Sequence, residues 1–420
     1  MMYIRLAIVA TAALLLAQSS ASAQWCYDES CYGRETFTGD WRGKRTSLAE
    51  SGITFDLDHA HFYQGVAHGG LNQRFDYGGH GDYVTNVDFG KMGLQEGLYL
   101  KIRAEHRFGE TINGDTGAVL PAAILPEFPV SDDNDILISN FLFTQFIEER
   151  FAVFFGKLDS LDGDMNAFAH GRGKTQFLNG SFVATPIAIR TVPYSTLGCG
   201  FMIMGEDQEP LFSYAVLNST DTSETAGFNE LFADGVAMTA ELRLPTNFFN
   251  MPGHQLFGAT WNSREYVALD QDPRKIFPEV PINETRGSWS MYWNFDHYLH
   301  VDACDSTKGW GLFGRAAMAD ANTNPLEYFF SFGVGGYNPY CSHRNDTFGL
   351  GWFMHVPSEE IGPALEETLG PINQGHGVEL YYNCEVTKWL HVTPDFQVMV
   401  PARENVDTAI AVGVRAVMQF

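Results

Sequence analysis

The chain has 420 residues, with 26 Lys and Arg against 51 Asp and Glu, so its formal net charge is −25 at pH 7. Only 18% of the residues are charged, while 14% are aromatic and 42 are glycine, which indicates short strands and turns rather than a disordered tail. So acidic a chain repels a phosphate backbone, and it has no Lys/Arg cluster that would override this repulsion. The composition therefore predicts no nucleic-acid partner. The length allows two or three ordinary domains, or one large barrel.

Residues 1–23 are typical of a cleaved secretory signal. They contain Arg5, an apolar run of 12 residues from Leu6 to Ala17, and a small-residue stretch that ends at Ala23. A short membrane anchor is the alternative, but this run falls well short of the roughly 20 residues that a membrane-spanning helix needs. No later apolar run reaches that length either. This argues against a helical membrane protein but not against a membrane barrel, whose signal per strand is weaker.

Disulfides are permitted in an exported chain, and the number of cysteines is even. The six cysteines are Cys26, Cys31, Cys199, Cys304, Cys341 and Cys384. Six cysteines allow fifteen pairings, so the connectivity stays open, and only the first two are close enough in sequence to suggest a local pair. Those two lack the second ligand pair that a zinc site needs. We predict no metal and no cofactor.

The N-terminal segment then predicts a short helix. Thr46, Leu48 and Ala49 are spaced for a helix that ends at Gly52. From Gly52 onward helical periodicity is replaced by alternation. The resulting division of the chain is a signal peptide over 1–23, a periplasmic segment with the short helix over 24–51, and a β-barrel over 52–420.

The stretch from Leu98 to Phe108 shows the alternation most clearly. Leu98, Leu100 and Ile102 share one face of a strand, whereas charged side chains occupy the other. The final stretch from Ile410 to Phe420 has the same period of two. In a soluble sandwich the apolar face would point inward, so a single strand does not decide the fold.

The number and spacing of such segments favour a membrane barrel. Sixteen segments separated by turn residues cover 53–62, 82–91, 97–108, 135–147, 150–158, 196–205, 210–217, 234–244, 254–262, 287–298, 308–318, 327–336, 345–356, 376–386, 388–400 and 406–420. Their number is even and they run to about ten residues, as in outer-membrane barrels. Tight and long connections also alternate, which is typical of short periplasmic turns and long external loops. We predict an all-β, antiparallel transmembrane barrel of about 16 strands; fourteen or eighteen strands remain open.

The chain ends in Phe420, on an alternating strand. A terminal Phe in this position is similar to the carboxy-terminal signature that the barrel-assembly machinery of the bacterial outer membrane reads. We therefore expect that machinery and outer-membrane lipid among the partners.

Three blocks of the sequence are specific enough to compare with known families: TGDWRGKRTSLAESGITFD from Thr38, FFGKLDSLDGDMNAFAHGRGKTQFLNGSF from Phe154, and ELYYNCEVTKWLHVTPDFQVMVPA from Glu379. Together they resemble the OprB family of carbohydrate-selective porins. In the first block, Arg42 and Lys44 replace a Gly and a Leu of the family pattern. The resemblance implies a sixteen-stranded outer-membrane barrel that admits sugars, in agreement with the alternation counted above.

A sugar channel needs polar groups on the inward face of its strands, where they replace the water around sugar hydroxyls. Charges that face lipid would cost about 2–4 kcal/mol each near the midplane for Arg or Lys, so we expect the charged faces to point into the lumen. The strand residues predicted to contact sugar are Lys101, Arg103, Glu105, Arg107, Glu241, Arg243, Asp296 and Arg315. The alternative for each is pairing across the wall with no contact to the solute.

The long segment Asp159 to Ser195 is the best candidate for a loop that folds into the lumen and narrows it. It contributes Asp159, Asp162, Arg172 and Lys174 to the predicted carbohydrate site. An ordinary external loop is the alternative. Calcium binding by these carboxylates is a further alternative, but their spacing does not match an EF-hand loop.

The predicted function is passive diffusion of mono- or small oligosaccharides through the outer membrane, without enzymatic activity. A general cation-leaning or inorganic-ion porin is the main alternative, since acidic channel mouths concentrate cations. A barrel hydrolase and an adhesin are the remaining alternatives. The sequence leaves the oligomeric state open, with a homo-oligomer as one outcome.

Overall fold

The computed structural model describes residues 33–420 except 164, 207, 272–279, 304, 306, 341–344, 362–365 and 367–368. The predicted signal peptide, Cys26, Cys31, Cys304 and Cys341 lie outside the described residues. The predictions made on them therefore stay predictions.

The described chain forms a closed antiparallel β-barrel in which each strand pairs with its sequence neighbours and the last strand pairs with the first. The sixteen strands are β1 (Ile53–Gly70), β2 (Phe75–Asp88), β3 (Leu98–Gly109), β4 (Leu137–Glu148), β5 (Phe151–Asp159), β6 (Ser195–Met204), β7 (Pro210–Asn218), β8 (Val236–Phe248), β9 (Met251–Val267), β10 (Glu284–Val301), β11 (Gly309–Ala319), β12 (Leu326–Tyr337), β13 (Thr347–Pro357), β14 (Gly375–Thr387), β15 (Leu390–Val400) and β16 (Asp407–Gln419). The predicted fold class and strand number are confirmed.

The largest difference from the predicted strands concerns the first hairpin. The sequence pattern predicts strands over 53–62 and 82–91, but β1 continues to Gly70 and β2 already begins at Phe75. Glycines interrupt the alternation here because neighbouring rings cover them. A Cβ on Gly79 would lie 2.3 Å from the Phe108 ring, and a Cβ on Gly65 would lie 2.3 Å from the Phe75 ring. The glycines therefore mark close packing within strands, not a loop.

The helices are short. A 3₁₀ turn at Trp41–Gly43 leads into α1 (Lys44–Glu50), which the sequence predicts over nearly the same residues, and α2 spans Gly180–Val183. Further 3₁₀ turns lie in loops, at Asn113–Asp115, Leu125–Glu127, Ser160–Asp162, Gly171–Gly173 and Pro186–Arg190. No helix in the described ranges is long and apolar enough to cross a bilayer.

The helix α1 fastens the seam where the barrel closes. The Arg45 guanidinium donates hydrogen bonds to the carbonyl oxygens of Phe420 at 2.7 Å and Phe55 at 2.5 Å. The Phe37 amide donates to the Gln419 carbonyl at 2.7 Å, and the Phe420 amide donates to Leu57. The two ends of the described chain are thus joined at one rim of the barrel.

The strand ends at the opposite rim are joined by long connections, which are 110–136, 160–194, 219–235, 268–283 and 358–374. The rim with the chain ends has short turns such as 149–150, 249–250 and 388–389. This asymmetry is the one expected of external loops and periplasmic turns.

The strands turn apolar side chains outward, as a lipid-facing wall requires. On β12 and β13, for example, Phe332 and Trp352 are 50% and 40% exposed, whereas Ser331 and Phe353 on the other face are buried. The main apolar core therefore lies inside the barrel, where loop side chains pack against the wall.

Candidate functional site

The connection 160–194, here called the lumenal loop, folds into the barrel. Its residues Phe168, Phe177 and Phe182 are at most 2% exposed and pack against inward-facing rings of the wall. The Phe177 ring lies 5.2 Å from that of Phe313 and 4.8 Å from that of Tyr381, measured between centroids. The predicted inward fold of this segment is thus present in the structure, and the alternative of an ordinary external loop is wrong.

Glycines on the wall make room for these rings. A Cβ on Gly351 would lie 2.5 Å from the Phe182 ring, and a Cβ on Gly349 would lie 2.7 Å from the Phe177 ring. Such approaches are closer than van der Waals contact, so no larger residue fits at either position without a shift. The glycines of β13 therefore leave the space in which the aromatic rings of the lumenal loop pack.

Buried polar side chains of the wall bind the backbone of the lumenal loop. Glu379 accepts hydrogen bonds from the amides of Leu178 at 2.6 Å and Asn179 at 2.9 Å. Arg415 donates to the carbonyls of Gly173 at 2.6 Å and Gln176 at 2.9 Å. These bonds satisfy backbone groups that would otherwise be buried without partners.

Arg315, a predicted sugar contact, also binds the backbone of the lumenal loop. It is 2% exposed and donates to the carbonyls of Phe182 at 2.9 Å and Ala169 at 2.5 Å. The predicted Asp296 is 1% exposed and accepts from His254 Nδ1 at 2.8 Å, and it also faces the amide of Ala167 at 3.4 Å. Both side chains face inward, but both are hydrogen-bonded to other parts of the protein.

An ion-pair network joins the lumenal loop to β3. Arg172 lies 2.8 Å from Glu105 and 2.8 Å from Asp159, and all three are at least nine-tenths buried. Arg103 lies 2.6 Å from Asp159 and 2.7 Å from Asp162. Five of the predicted site residues therefore meet in one cluster, although they come from two strands and a loop.

Lys174 extends the network to the first hairpin. Its ammonium lies 2.8 Å from Asp58 and 2.6 Å from Asp82, and Asp82 also contacts Arg103 at 3.2 Å. The two aspartates were not predicted as site residues, although both lie within predicted strands. Asp58 lies in the alternating segment 53–62, where the signal was available, whereas Asp82 is the first residue of the segment 82–91 and follows glycines that interrupt the alternation.

Lys101 completes the network at its more open end, where it pairs with Asp162. Burial would raise the pKa of Asp162, but the cations Arg172, Arg103 and Lys101 outweigh it and hold that pKa below its ordinary value of 3.8. This carboxylate therefore stays ionised. The predicted Arg107 donates instead to the Ser131 carbonyl on another loop.

Asp159 and Asp162, the described carboxylates of the calcium alternative, are both paired with guanidinium groups. The neighbouring Asp164 lies outside the described residues. Within the described ranges, no group of three or more His, Cys, Asp or Glu side chains is arranged to hold a metal ion.

A second inward segment lies between the predicted strands 97–108 and 135–147, in a long connection of the kind expected to be an external loop. In this loop Ala122, Ile124 and Leu125 are at most 3% exposed. Ile124 and Leu178 share a backbone hydrogen bond of 3.0 Å, so the loop packs on the lumenal loop. The apolar run 118–125 inside a predicted loop was the available signal.

Space remains on one side of the lumenal loop, in a cavity of about 380 Å³ between the loop and the strands β3 to β10. Five of the twelve predicted residues line it: Lys101, Asp159, Asp162, Glu241 and Arg243. Glu241 accepts from the Tyr292 hydroxyl at 2.5 Å, and Arg243 pairs with Glu209. The other seven predicted residues lie away from this cavity.

Comparisons with known proteins agree with this architecture. A family model described as "Carbohydrate-selective porin, OprB family" matches residues 72–420. Porin B of Pseudomonas aeruginosa is 22% identical over 430 aligned residues, which cover 90% of this chain and 89% of that protein. The high-pH structure of Pseudomonas putida OprB superposes with a TM-score of 0.77 at 18% identity, covering 92% of this chain and 99% of that one. The low-pH structure of the same protein gives 0.55 at 15% identity, covering 92% and 98%.

Proposed function

The chain belongs to the OprB family and is a carbohydrate-selective porin of the outer membrane, not an enzyme, and from this premise we propose how its lumen selects sugars. Small sugars pass by passive diffusion through the cavity beside the lumenal loop. The observation that carries the proposal is that five residues predicted from strand alternation and loop position line this one cavity.

The residues that touch the sugar in this proposal are Lys101, Asp162, Glu241 and Arg243. Asp159 also borders the cavity, but its side chain is fully buried and holds Arg103 and Arg172 in place. The four contact residues offer donors and acceptors that replace the water around sugar hydroxyls. Arginine presents several donors in a fixed planar arrangement, whereas lysine acts more as a point charge. Hydrogen bonds to charged groups are worth about 1.5–3 kcal/mol each, more than bonds between neutral groups.

Charge pairing in the cavity suits neutral sugars. Lys101 pairs with Asp162, and Arg243 pairs with Glu209. Because each of these cations has an acidic partner, neither adds an isolated positive charge to the lining. Paired charges of this kind offer donors and acceptors side by side, which suits the hydroxyl groups of neutral polyols.

The remaining members of the predicted set act through the inward loops in this proposal. Arg103, Glu105, Arg107, Arg172, Lys174, Asp296 and Arg315 hold the two inward segments in place, and so they fix the width of the passage. Residues 24–51 would lie on the periplasmic side after removal of residues 1–23. Outer-membrane lipid and the barrel-assembly machinery are the expected partners, and assembly into a homo-oligomer is a further proposal.

The experiment is block of ion current by sugar in planar bilayers. Replacing Arg243 with Gln removes a charged donor from the cavity, and loss of one such bond, about 1.5 kcal/mol, weakens glucose block roughly tenfold. Leu244→Ala, which changes the outward-facing neighbour on β8, is the matched control and should leave block unchanged. Unchanged glucose block in a normally assembled Arg243→Gln barrel would exclude Arg243 from the sugar path.

A further inference from the structure

One part of the inner wall is apolar, although the interior of porin barrels is generally polar. Phe154 on β5, Leu217 on β7 and Leu256 on β9 point inward and are 7%, 3% and 3% exposed. Met202 on β6 and Ala215 on β7 line the same cavity. By contrast, the wall formed by β1 to β3 directs Asp58, Asp82, Arg103 and Glu105 inward, and this charged wall is covered by the lumenal loop.

The lumenal loop presents apolar atoms to the same space. Ala184, Ala188 and Pro193 line the cavity from the loop side, and Val192 packs against the cluster around Phe154. The loop covers part of the apolar wall, but the cavity of about 380 Å³ remains between them. The cavity is therefore a slot with apolar sides.

Charged groups lie at separate margins of this slot, while the uncharged polar side chains of Asn140, Thr196, Ser213 and Thr239 also line it. On β3, Lys101 and its partner Asp162 form one margin. On β8, Glu241 and Arg243 form another, and the Tyr292 hydroxyl is bound to Glu241. A volume of this size, mostly apolar with a few placed polar groups, is typical of sites for small organic ligands, which run from about 300 to 1,000 Å³.

We propose that this slot binds neutral sugars that carry an apolar substituent, with aryl glycosides as the fitting class. The inference rests on the function proposed above and specifies its substrate class further. The sugar hydroxyls bind at the charged margins, while the aryl ring lies between Phe154, Leu217 and Leu256 and the loop. Transfer of the aryl ring from water into the slot favours binding, and glucose lacks this contribution because it has no aryl ring.

The test compares three blockers of the ion current, which are glucose, methyl β-glucoside and phenyl β-glucoside. We expect phenyl β-glucoside to block at a concentration about tenfold lower than methyl β-glucoside. Leu217→Ala and, independently, Leu256→Ala should reduce this advantage to threefold or less while leaving glucose block intact. Val216→Ala, on the outward face of β7, is the matched control and should keep the full advantage.

The outcomes separate this inference from the function on which it rests. Equal block by the phenyl and methyl glucosides, with glucose still active, overturns the aryl site and leaves the sugar channel standing. A phenyl advantage that survives both inward substitutions in assembled barrels places the ring elsewhere and also overturns the site. Absence of block by every sugar contradicts the proposed function itself.

Discussion

Replacing Arg172 with Ala would remove the cation that joins the lumenal loop to the barrel wall. Its guanidinium lies 2.8 Å from carboxylate oxygens of Glu105, Asp159 and Asp162 and 3.2 Å from the Tyr194 hydroxyl. The Glu105 and Asp159 side chains are fully buried. The substitution therefore leaves buried negative charge with fewer partners.

The loss of stability depends on the partners that Glu105 and Asp159 keep after the substitution. Removing one partner of a buried ion pair typically costs 3–5 kcal/mol. Here Arg103 still contacts Asp159, and Glu105 still accepts from the Tyr194 hydroxyl at 2.6 Å. We therefore expect the low end of the range, about 3 kcal/mol, which raises the open population of the segment around Arg172 roughly a hundredfold.

Proteolysis of the folded barrel measures this opening. When opening and closing are fast, the rate of cleavage follows the population of the open segment. With a protease of broad specificity, cleavage within 160–176 should accelerate up to about a hundredfold in Arg172→Ala. Arg172 has a positive φ of 53°, and Lys at this position keeps both that backbone conformation and the charge but loses the planar guanidinium. Cleavage of Arg172→Lys should therefore be intermediate between that of Arg172→Ala and that of the unmodified protein.

Arg190 provides the matched control at the other end of the loop. It donates one hydrogen bond to the Thr323 carbonyl at 3.0 Å and lies over the Tyr266 ring. Loss of such contacts costs about 1 kcal/mol, so Arg190→Ala should accelerate cleavage less than tenfold. Cleavage of Arg172→Ala at the unmodified rate, in barrels that assemble normally, would refute the role given to this network.

Three further substitutions test other parts of the structure. Gly351→Ala places a Cβ 2.5 Å from a ring of the lumenal loop and should destabilise the docked loop by about 1–3 kcal/mol. The same proteolysis measures this loss, and Gly114→Ala, which has open space around it, should have no effect. Arg45→Ala removes the hydrogen bonds at the barrel seam and should lower the free energy of unfolding by about 1–2 kcal/mol. In gel electrophoresis of samples heated in detergent, the folded band should therefore disappear at a lower temperature, whereas Lys44→Ala, at an exposed position, should leave that temperature unchanged. Asp162→Asn should loosen the loop equally at pH 7 and pH 5: the pKa of Asp162 is lowered, so its stabilising charge is present above 3.8 and is lost only as the pH falls through the lowered value. A loop-opening effect that disappears at pH 5 would contradict this assignment.

The strands were predictable because a period of two survives in most of them. β3 and β16 alternate over most of their length, and the structure reproduces their predicted bounds within two residues. The full length of the first hairpin was not predictable, since glycines such as Gly79 contribute nothing to a hydrophobic pattern. Their role depends on a ring from a neighbouring strand, here Phe108, and that contact is invisible in a single sequence.

The candidate site was predictable in its residue types but not in the division of roles. Alternation places Arg103 and Arg243 on inward faces alike, and both do face inward. Only the folded loop decides that Arg103 is covered and that Arg243 borders open space. Loop contacts such as Arg172 with Glu105 span 67 positions of the chain, so no local pattern encodes them.

The most direct measurement of the central claim is swelling of liposomes that contain the purified barrel. Sugars and amino acids of equal size are compared, because a channel that sorts only by size admits both at the same rate. The account predicts faster swelling with sugars, and a loss of this preference when Lys101 and Arg243 are replaced together by Gln. Equal rates for sugars and amino acids in the unmodified protein would contradict selection by the lumenal residues.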